Sequence, residues 1–370
     1  MQVNELKLRN FRNYDEADVQ FSPGVNVLIG QNAQGKTNLL EAIYVLALTR
    51  SHRANGNRDL IKWEDKVARI WGVVQRSAGK TQLELTLSQK GKQAKVNHIE
   101  QAKLSSYIGQ LNIILFAPED LKIVKGSPQI RRRFMDIEFG QMSNKYLYNI
   151  SQYRRILKQR NIYLRQLHFK KAKDLVYLDV LSEQLATFAA EIIYQRVQLL
   201  GKLQAWSQKI HSEISQQQET LKFKYMTSLK RENLGSPEQI YQILLEKFKA
   251  NHEKEVHQGT TIFGPHRDDL RFSVNGKDVA QFGSQGQQRT AALATKLAEI
   301  DLMKEETGEY PVLLLDDVLS ELDESRQTHL LTDIQDKVQT FLTTTSLSGV
   351  ATNLIHNPKL FKIKDGIISN

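Results

Sequence analysis

The stretch Val25–Leu48, VNVLIGQNAQGKTNLLEAIYVLAL, decides how the chain folds. An apolar run ends at Gly30, and a second apolar stretch begins after Lys36 and Thr37, now at helical spacing. The segment between them, GQNAQGKT, matches the pattern G-x-x-x-x-G-K-[ST]. A strand, a glycine-rich turn and a helix in this order predict a loop whose backbone N–H groups wrap around phosphates.

The pattern gives each position of this loop a chemical role. Lys36 would reach the β- and γ-phosphates of a nucleotide, and Thr37 would place its hydroxyl on Mg²⁺. A glycine-rich turn without a ligand is the alternative, and the strand before and the helix after argue against it. The predicted nucleotide-binding residues are Gly30, Gln31, Asn32, Ala33, Gln34, Gly35, Lys36 and Thr37.

The segment PVLLLDD, residues 311–317, supplies acidic groups for the same site. Its apolar run predicts a buried parallel strand, and Asp316 at the end would hold Mg²⁺ directly or through water. Asp317 is the candidate general base or water-positioning residue. Solvated loop acids after a core strand are the alternative for this segment taken alone. Together the two segments nominate Lys36 and Asp317 as catalytic residues.

The sequence between these segments changes character, which predicts two domains. Residues 1–117 and 262–370 show strand-like runs, hairpin turns and helical stretches that are typical of a mixed α/β domain. Residues 118–261 contain few glycines, and apolar positions recur at helical spacing from Leu181 to Ile214. We therefore expect an α/β head, lobe I, interrupted by an all-helical insertion, lobe II.

Composition excludes several classes of protein. The 370 residues include no cysteine, so disulfides and cysteine-based metal sites are ruled out. No apolar run approaches the length of a membrane span, and the first residues do not have the pattern of a signal peptide. We expect a cytoplasmic protein without a membrane segment.

The positive charge is concentrated in one part of the chain. The formal net charge is +10, and residues 122–173 contain fourteen Lys or Arg and two acidic residues. A local basic excess indicates binding to a polyanion such as DNA, whereas a solvated helix face is the alternative. The candidate DNA contacts are Arg154, Arg155, Lys158, Arg160 and Arg165.

A polar turn, SQGQQR at residues 284–289, precedes a predicted helix that runs to Glu306. It resembles the signature motif of ABC-type ATPases, and SELDES at residues 320–325 resembles their D-loop. The resemblance implies ATP as the nucleotide and an ATP-dependent homodimer. It also implies that Ser284, Gln285, Gly286 and Gln287 meet the γ-phosphate held by the other subunit, with Ser284 as a third catalytic residue. An ordinary capped helix is the alternative.

Further motifs resemble the RecF family of the SMC-type ATPases over essentially the whole chain. They are LKLRNFRNY, LFAPEDLKIVKGSPQIRRRFMD, GPHRDDL and LLLDDVLSELD. The resemblance implies a cytoplasmic, ATP-dependent DNA-binding protein that acts with RecO and RecR to load RecA at gaps, with links to replication and the SOS response. It also implies that Arg12 and Asn13 touch phosphates of ATP, whereas a surface turn is the alternative.

Two residues depart from the general ABC pattern. Asp317 stands where ABC-type ATPases usually have Glu. The strand FLTTTS has Thr344 or Thr345 where ABC transporters have a switch histidine. Both changes lead us to expect slow hydrolysis. The ATPase subunit of a membrane transporter is the alternative function, and the basic insertion and the missing histidine argue against it.

Overall fold

The computed structural model describes residues 1–54, 56–319, 322–335, 337–346 and 357–369. In these ranges the strands are β1 (Gln2–Phe11), β2 (Tyr14–Gln20), β3 (Val25–Ile29), β4 (Val67–Arg76), β5 (Gly79–Ser88), β6 (Gly91–Val96), β7 (Ile99–Glu100), β8 (Ile113–Phe116), β9 (Leu221–Met226), β10 (Asp269–Val274), β11 (Lys277–Asp278), β12 (Val312–Asp316), β13 (Thr340–Thr344), β14 (Lys359–Lys364) and β15 (Ile367–Ser369). The α-helices are α1 (Lys36–Leu48), α2 (Leu104–Tyr107), α3 (Leu121–Lys125), α4 (Pro128–Met142), α5 (Asn144–His168), α6 (Leu175–Ile214), α7 (Pro237–Ala250), α8 (His252–Gln258), α9 (Val279–Phe282), α10 (Gln285–Thr307) and α11 (Glu324–Ile334).

The chain forms two compact units. The first comprises residues 1–121, 213–217 and 292–370, and the second comprises residues 122–212 and 218–291. The boundaries predicted from sequence, 117/118 and 261/262, differ from these. For the second boundary the reason is that β10, which follows the predicted position, pairs along its whole length with β9, which precedes it.

The first unit contains two six-stranded sheets. One is antiparallel, in the order β2-β1-β4-β5-β6-β7, and the other has the order β15-β14-β3-β13-β12-β8. In the second sheet, β14, β3, β13, β12 and β8 run parallel to one another. Parallel strands bring their carboxyl ends to one edge, which is where α/β proteins bind ligands. The ends of β3 and β12 therefore lie at the same edge.

Helix α1 contacts strands of both sheets of the first unit, including β4 and β13. Every residue from Leu39 to Leu48 is buried, and all of them except Glu41 are apolar or aromatic. The helix predicted from residue 37 to 48 is therefore confirmed. Its buried position fixes the turn that precedes it, because that turn connects β3 directly to the start of α1.

The second unit is built mainly from helices, with α6 spanning 40 residues. The predicted apolar stripe on α6 is largely buried, as at Leu181, Leu185 and Leu203. The insertion is not all-helical, however, because β9 lies within residues 118–261 and forms a three-stranded sheet with β10 and β11. The exposed Lys222 and Lys224 alternate with more buried residues along β9, which is a strand signal that the sequence already contains.

The mixed α/β class predicted from sequence is confirmed. None of the helices in the described ranges combines the length and the apolar character that a bilayer span requires.

Candidate nucleotide site

The phosphate loop lies between the end of β3 and the start of α1. Lys36 at the first helical position is 8% exposed, and its Nζ donates hydrogen bonds to the carbonyls of Gly30 at 2.5 Å and Gln31 at 2.8 Å. Burial lowers the pKa of Lys36, and the nearby Asp317 and Asp316 oppose this shift. The ammonium group is thus held across the mouth of the loop that the sequence pattern predicts.

The hydroxyl of Thr37 meets the carboxylate of Asp316, although the two residues are 279 positions apart in the chain. Thr37 Oγ1 donates to Asp316 Oδ1 at 3.0 Å, and Thr343 Oγ1 donates to the same oxygen at 3.0 Å. These are hard oxygen ligands of the kind that Mg²⁺ prefers when a nucleotide supplies the remaining ligands. The two residues predicted to hold Mg²⁺ are therefore adjacent, and their chemistry suits that ion.

A cavity of about 160 Å³ opens beside these groups. Its wall is formed by Asn32, Ala33, Gly35, Lys36, Thr37, Asn38, Arg53, Asp317, Thr343 and Thr345. An ammonium, a guanidinium and the start of a helix all face one cavity, which suits a polyphosphate. Thr345 lines this cavity, whereas the hydroxyl of Thr344 donates to the carbonyl of Ser346 at 2.7 Å.

Asp317 adopts a left-handed backbone conformation with φ of 54°. Few residues other than glycine adopt it, although Asp and Asn tolerate it best. Its backbone N–H donates to Thr343 Oγ1 at 2.9 Å. The bend at the end of β12 thus places two consecutive carboxylates in different roles, with Asp316 on Thr37 and Asp317 on the cavity wall.

Arg12 is absent from the described cavity wall. Its Nε and Nη2 donate to the Glu41 carboxylate at 2.8 and 2.9 Å, and its Nη1 donates to the Asp59 carbonyl at 2.6 Å. Glu41 is fully buried. Burial alone would raise the pKa of Glu41. Hydrogen bonds from Arg12, Arg53 and Ser51 outweigh burial and lower this pKa to about 2. Arg12 therefore serves a buried carboxylate next to the site in this structure.

Arg53 is a candidate functional residue that sequence reasoning missed. Its Nη2 donates to Glu41 at 2.9 Å and to Asn38 Oδ1 at 2.8 Å, and the residue lines the cavity. A single arginine in a polar turn carries no recognisable spacing. Only the folded chain shows that α1 carries Asn38 and Glu41 as partners that hold the guanidinium at the cavity.

The predicted signature turn lies in the second compact unit, and the phosphate loop lies in the first. Ser284 is exposed and caps α10 through a reciprocal pair of bonds. Its Oγ accepts from the Gln287 N–H at 3.1 Å, and its own N–H donates to Gln287 Oε1 at 3.0 Å. The capped helix is therefore present, and a role toward the γ-phosphate of another subunit stays a prediction.

The predicted D-loop is only partly covered, because residues 320 and 321 lie outside the described residues. Asp323, further along this motif, caps α11 by accepting a hydrogen bond from the Arg326 N–H at 2.9 Å. Helix α11 follows this motif and spans Glu324–Ile334.

Helix α5 carries all five candidate DNA contacts and exposes four of them. Arg155, Lys158 and Arg165 are exposed, and Arg154 is exposed while paired with Asp136 at 2.6 Å. Arg160 is fully buried and pairs with Glu255, so its prediction as a DNA contact was wrong. Residue 160 lies on the buried face of the helix, with Tyr153, Ile156, Leu164 and Leu167.

Residues of the GPHRDDL motif make hydrogen bonds within the second unit and do not line the described cavity. His266 Nδ1 lies 2.5 Å from the Tyr153 hydroxyl, and Asp269 accepts two hydrogen bonds from Arg131 at 2.7 and 2.9 Å. Arg132 donates to the carbonyl of Asp268 at 2.7 Å. These contacts give the motif a structural role, and they occupy Arg131 in packing.

The fold and the site define a phosphate-loop nucleotide-binding head. A family model described as "RecF/RecN/SMC N terminal domain" matches residues 2–369. The chain is 64% identical to the "DNA replication and repair protein RecF" of Pediococcus pentosaceus, over 100% of this chain and 98% of that protein. The chain belongs to the RecF family, as the sequence motifs predict.

Solved structures agree with this assignment. A structure described as the "recombination mediator protein RecF-ATPrS in RecFOR pathway" is 34% identical, has a TM-score of 0.92, and the match covers 100% of this chain and 97% of that one. The Smc head domain of Pyrococcus furiosus is 16% identical with a TM-score of 0.55, covering 99% of this chain and 95% of that one, and so shows the shared fold alone.

Proposed function

We propose that the chain is a cytoplasmic, ATP-dependent DNA-binding protein of replication and recombinational repair. The observation that carries the proposal is the meeting of Thr37 with Asp316 beside a cavity that also holds Lys36, Arg53 and Asp317. Support comes from the family, because the relative from Pediococcus is named a DNA replication and repair protein. A solved relative is described with ATP in the RecFOR pathway. The transporter alternative has no such support.

The cavity residues divide the work of binding and hydrolysis. Backbone N–H groups of residues 30–37 and the Lys36 ammonium hold the phosphates, and Arg53 adds a second cation. Thr37 and Asp316 would hold Mg²⁺, which when bound neutralises the charge that develops on the β- and γ-phosphates. Asp317 orients or deprotonates the attacking water from the cavity wall.

Two features of the cavity favour slow hydrolysis. The carboxylate of Asp317 is one methylene closer to the backbone than that of a glutamate. Thr345, one of the two threonines that can take the place of the transporters' switch histidine, lines the cavity. Slow hydrolysis gives the ATP-bound state a long life, which suits a timer for DNA binding. We propose a site completed in trans by Ser284, Gln285, Gly286 and Gln287 of a second copy, so that ATP holds a homodimer together.

DNA engagement is assigned to the exposed cations of α5. Arg154, Arg155, Lys158 and Arg165 meet phosphates and release counterions, which makes binding dependent on salt. RecO and RecR are the protein partners in this proposal, and loading of RecA at gaps, with SOS induction as a consequence, is the outcome. ATP gates these steps because it controls the dimer.

Sedimentation velocity with ATP, ADP or no nucleotide tests the dimer. We expect a dimer with ATP alone, and its loss in Lys36→Ala and Ser284→Ala. Ser236→Ala is the matched control, since Ser236 caps α7 by accepting from the Gln239 N–H at 3.2 Å. Each serine variant loses a cap worth about 1 kcal/mol. The proposal fails if the sedimentation coefficient is independent of nucleotide, or if the two serine variants dimerise equally.

A further inference from the structure

The outer side of the phosphate loop is held by the β14–β15 hairpin. β14 pairs in parallel with β3, with Lys359 opposite Asn26 and Lys362 opposite Ile29. The hairpin turn therefore arrives beside the loop that follows β3. There the Asp365 N–H donates to Gln34 Oε1 at 2.7 Å, and the Gly366 N–H donates to the Gln34 carbonyl at 3.1 Å.

The turn between β1 and β2 holds the same segment of the loop. Asn13 Nδ2 donates to the Gln34 carbonyl at 3.3 Å, and the hydroxyl of the buried Tyr14 donates to the Gly35 carbonyl at 3.0 Å. Asn13 Oδ1 in turn accepts from Asn38 Nδ2 of α1 at 2.8 Å. The Gln34 carbonyl thus receives donors from two separate turns, neither of which belongs to the sequence motif of the loop.

The loop and its supports also pack in direct backbone contact. A Cβ added to Gly30 would lie 2.3 Å from the carbonyl oxygen of Ile363 in β14. A Cβ added to Gly366 would lie 2.7 Å from the carbonyl oxygen of Asn13. Real Cβ atoms essentially never approach backbone atoms so closely, so both glycines are required by the contact between the loop and its supports.

We propose that the Asp365–Gly366 turn and the Asn13–Tyr14 turn clamp the phosphate loop in its nucleotide-receiving conformation, so that the C-terminal hairpin is a positioning element for ATP. The proposal rests on the proposed ATP binding and adds to it the residues that prepare the loop. A loop ordered in advance loses less conformational freedom when it binds, and that difference appears as affinity. Gln34 and Gly366 are positioning residues here.

Gly366→Ala tests the clamp, and Gly276→Ala is its matched control. Both glycines lie in two-residue hairpin turns at positive φ, +76° and +78°, so both variants carry a similar strain from the φ angle. The control position has open space, with nothing within 4 Å of an added Cβ. We expect the Kd for a fluorescent ATP analogue to be about tenfold higher in Gly366→Ala than in Gly276→Ala, which corresponds to about 1.4 kcal/mol of binding free energy. Saturating ATP should restore kcat while KM stays raised.

A second pair of variants decides the matter if Gly366→Ala does not fold. Tyr14→Phe removes only the buried hydroxyl that donates to the Gly35 carbonyl. Tyr163→Phe is a control of the same chemical type in the second unit, because it removes a hydroxyl that donates to the Asp174 carbonyl at 2.7 Å, in a more exposed position. We expect weaker ATP binding in Tyr14→Phe alone. Equal ATP affinity within each pair, or a lowered melting temperature with unchanged affinity, overturns the clamp. Failure of the wild-type chain to bind ATP would instead overturn the proposed function.

Discussion

Arg160 is expected to stabilise the second unit and to leave DNA affinity unaffected. Its Nη2 meets Glu255 Oε2 at 2.6 Å, its Nη1 donates to Thr261 Oγ1 at 2.8 Å, and its Nε donates to Ser182 Oγ at 3.0 Å. The ring of Phe248 lies 4.7 Å from the guanidinium. Both charges of the ion pair are 0% exposed, so removal of Arg160 leaves Glu255 buried without an opposite charge, with the Ile262 N–H at 2.9 Å as a remaining hydrogen-bond donor.

The cost of this change follows from the burial. Breaking a fully buried ion pair by removing one partner costs about 3–5 kcal/mol. In a unit of this size each kcal/mol lowers the melting temperature by about 2–4 °C, so Arg160→Ala should melt about 6–20 °C below the wild type. The apolar double variant Arg160→Met with Glu255→Leu should recover most of this loss, because it leaves no unpaired charge.

Thermal unfolding and DNA anisotropy together form the assay, with Lys158→Ala as the control. Lys158 is exposed on the same helix, so its variant should melt like the wild type while the salt dependence of DNA binding falls by about one phosphate contact. The reasoning is refuted if Arg160→Ala keeps the wild-type melting temperature and weakens DNA binding as Lys158→Ala does.

Three further predictions concern the site and the pH dependence. Asp317→Asn should slow ATP hydrolysis by about 100-fold or more while ATP binding persists, and loss of ATP binding in a filter assay would contradict its role. Arg53→Ala should weaken ATP binding more than Arg12→Ala, since only Arg53 lines the described cavity; titration of both variants with a fluorescent analogue decides this. Burial lowers the pKa of His266 from 6.5 to about 4, so the unfolded chain protonates first and stability falls as the pH drops from 6.5 toward 4. Between pH 6.5 and 4, the free energy of unfolding of His266→Gln, measured in urea, should fall by up to about 3 kcal/mol less than that of the wild type. An equal fall in both proteins would contradict the lowered pKa of His266.

Short sequence motifs are enough to predict the phosphate loop and the acidic residue at the end of β12. The loop from Gly30 to Thr37 follows from one motif, and Asp316 follows from an apolar strand that ends in acids. Their meeting is also predictable, because parallel strands share one carboxyl edge.

Contacts that depend on tertiary arrangement are beyond the reach of these patterns. Arg53 reaches the cavity through Glu41 and Asn38, and Gln34 is held by a hairpin from the far end of the chain. Neither contact has a characteristic spacing in the sequence, because the number of residues between two contacting residues does not determine whether the fold brings them together.

The error at Arg160 was avoidable in principle. Charge alone made it a candidate DNA contact, whereas its helical spacing from Tyr153, Ile156 and Leu164 places it on the apolar face of α5. A cation on the apolar face of an amphipathic helix predicts a buried ion pair, and Glu255 is its partner in the second unit.

The most direct test of ATP-gated DNA binding is fluorescence anisotropy on single-stranded, duplex and gapped DNA, with ATP, ADP or no nucleotide. We expect tight DNA binding with ATP and weak DNA binding with ADP or without nucleotide. The ATP effect should be lost in Lys36→Ala, because this variant lacks the ammonium group that spans the phosphate loop. Equal DNA affinity in all three nucleotide states would contradict the account, because the exposed cations of α5 would then act independently of the nucleotide site.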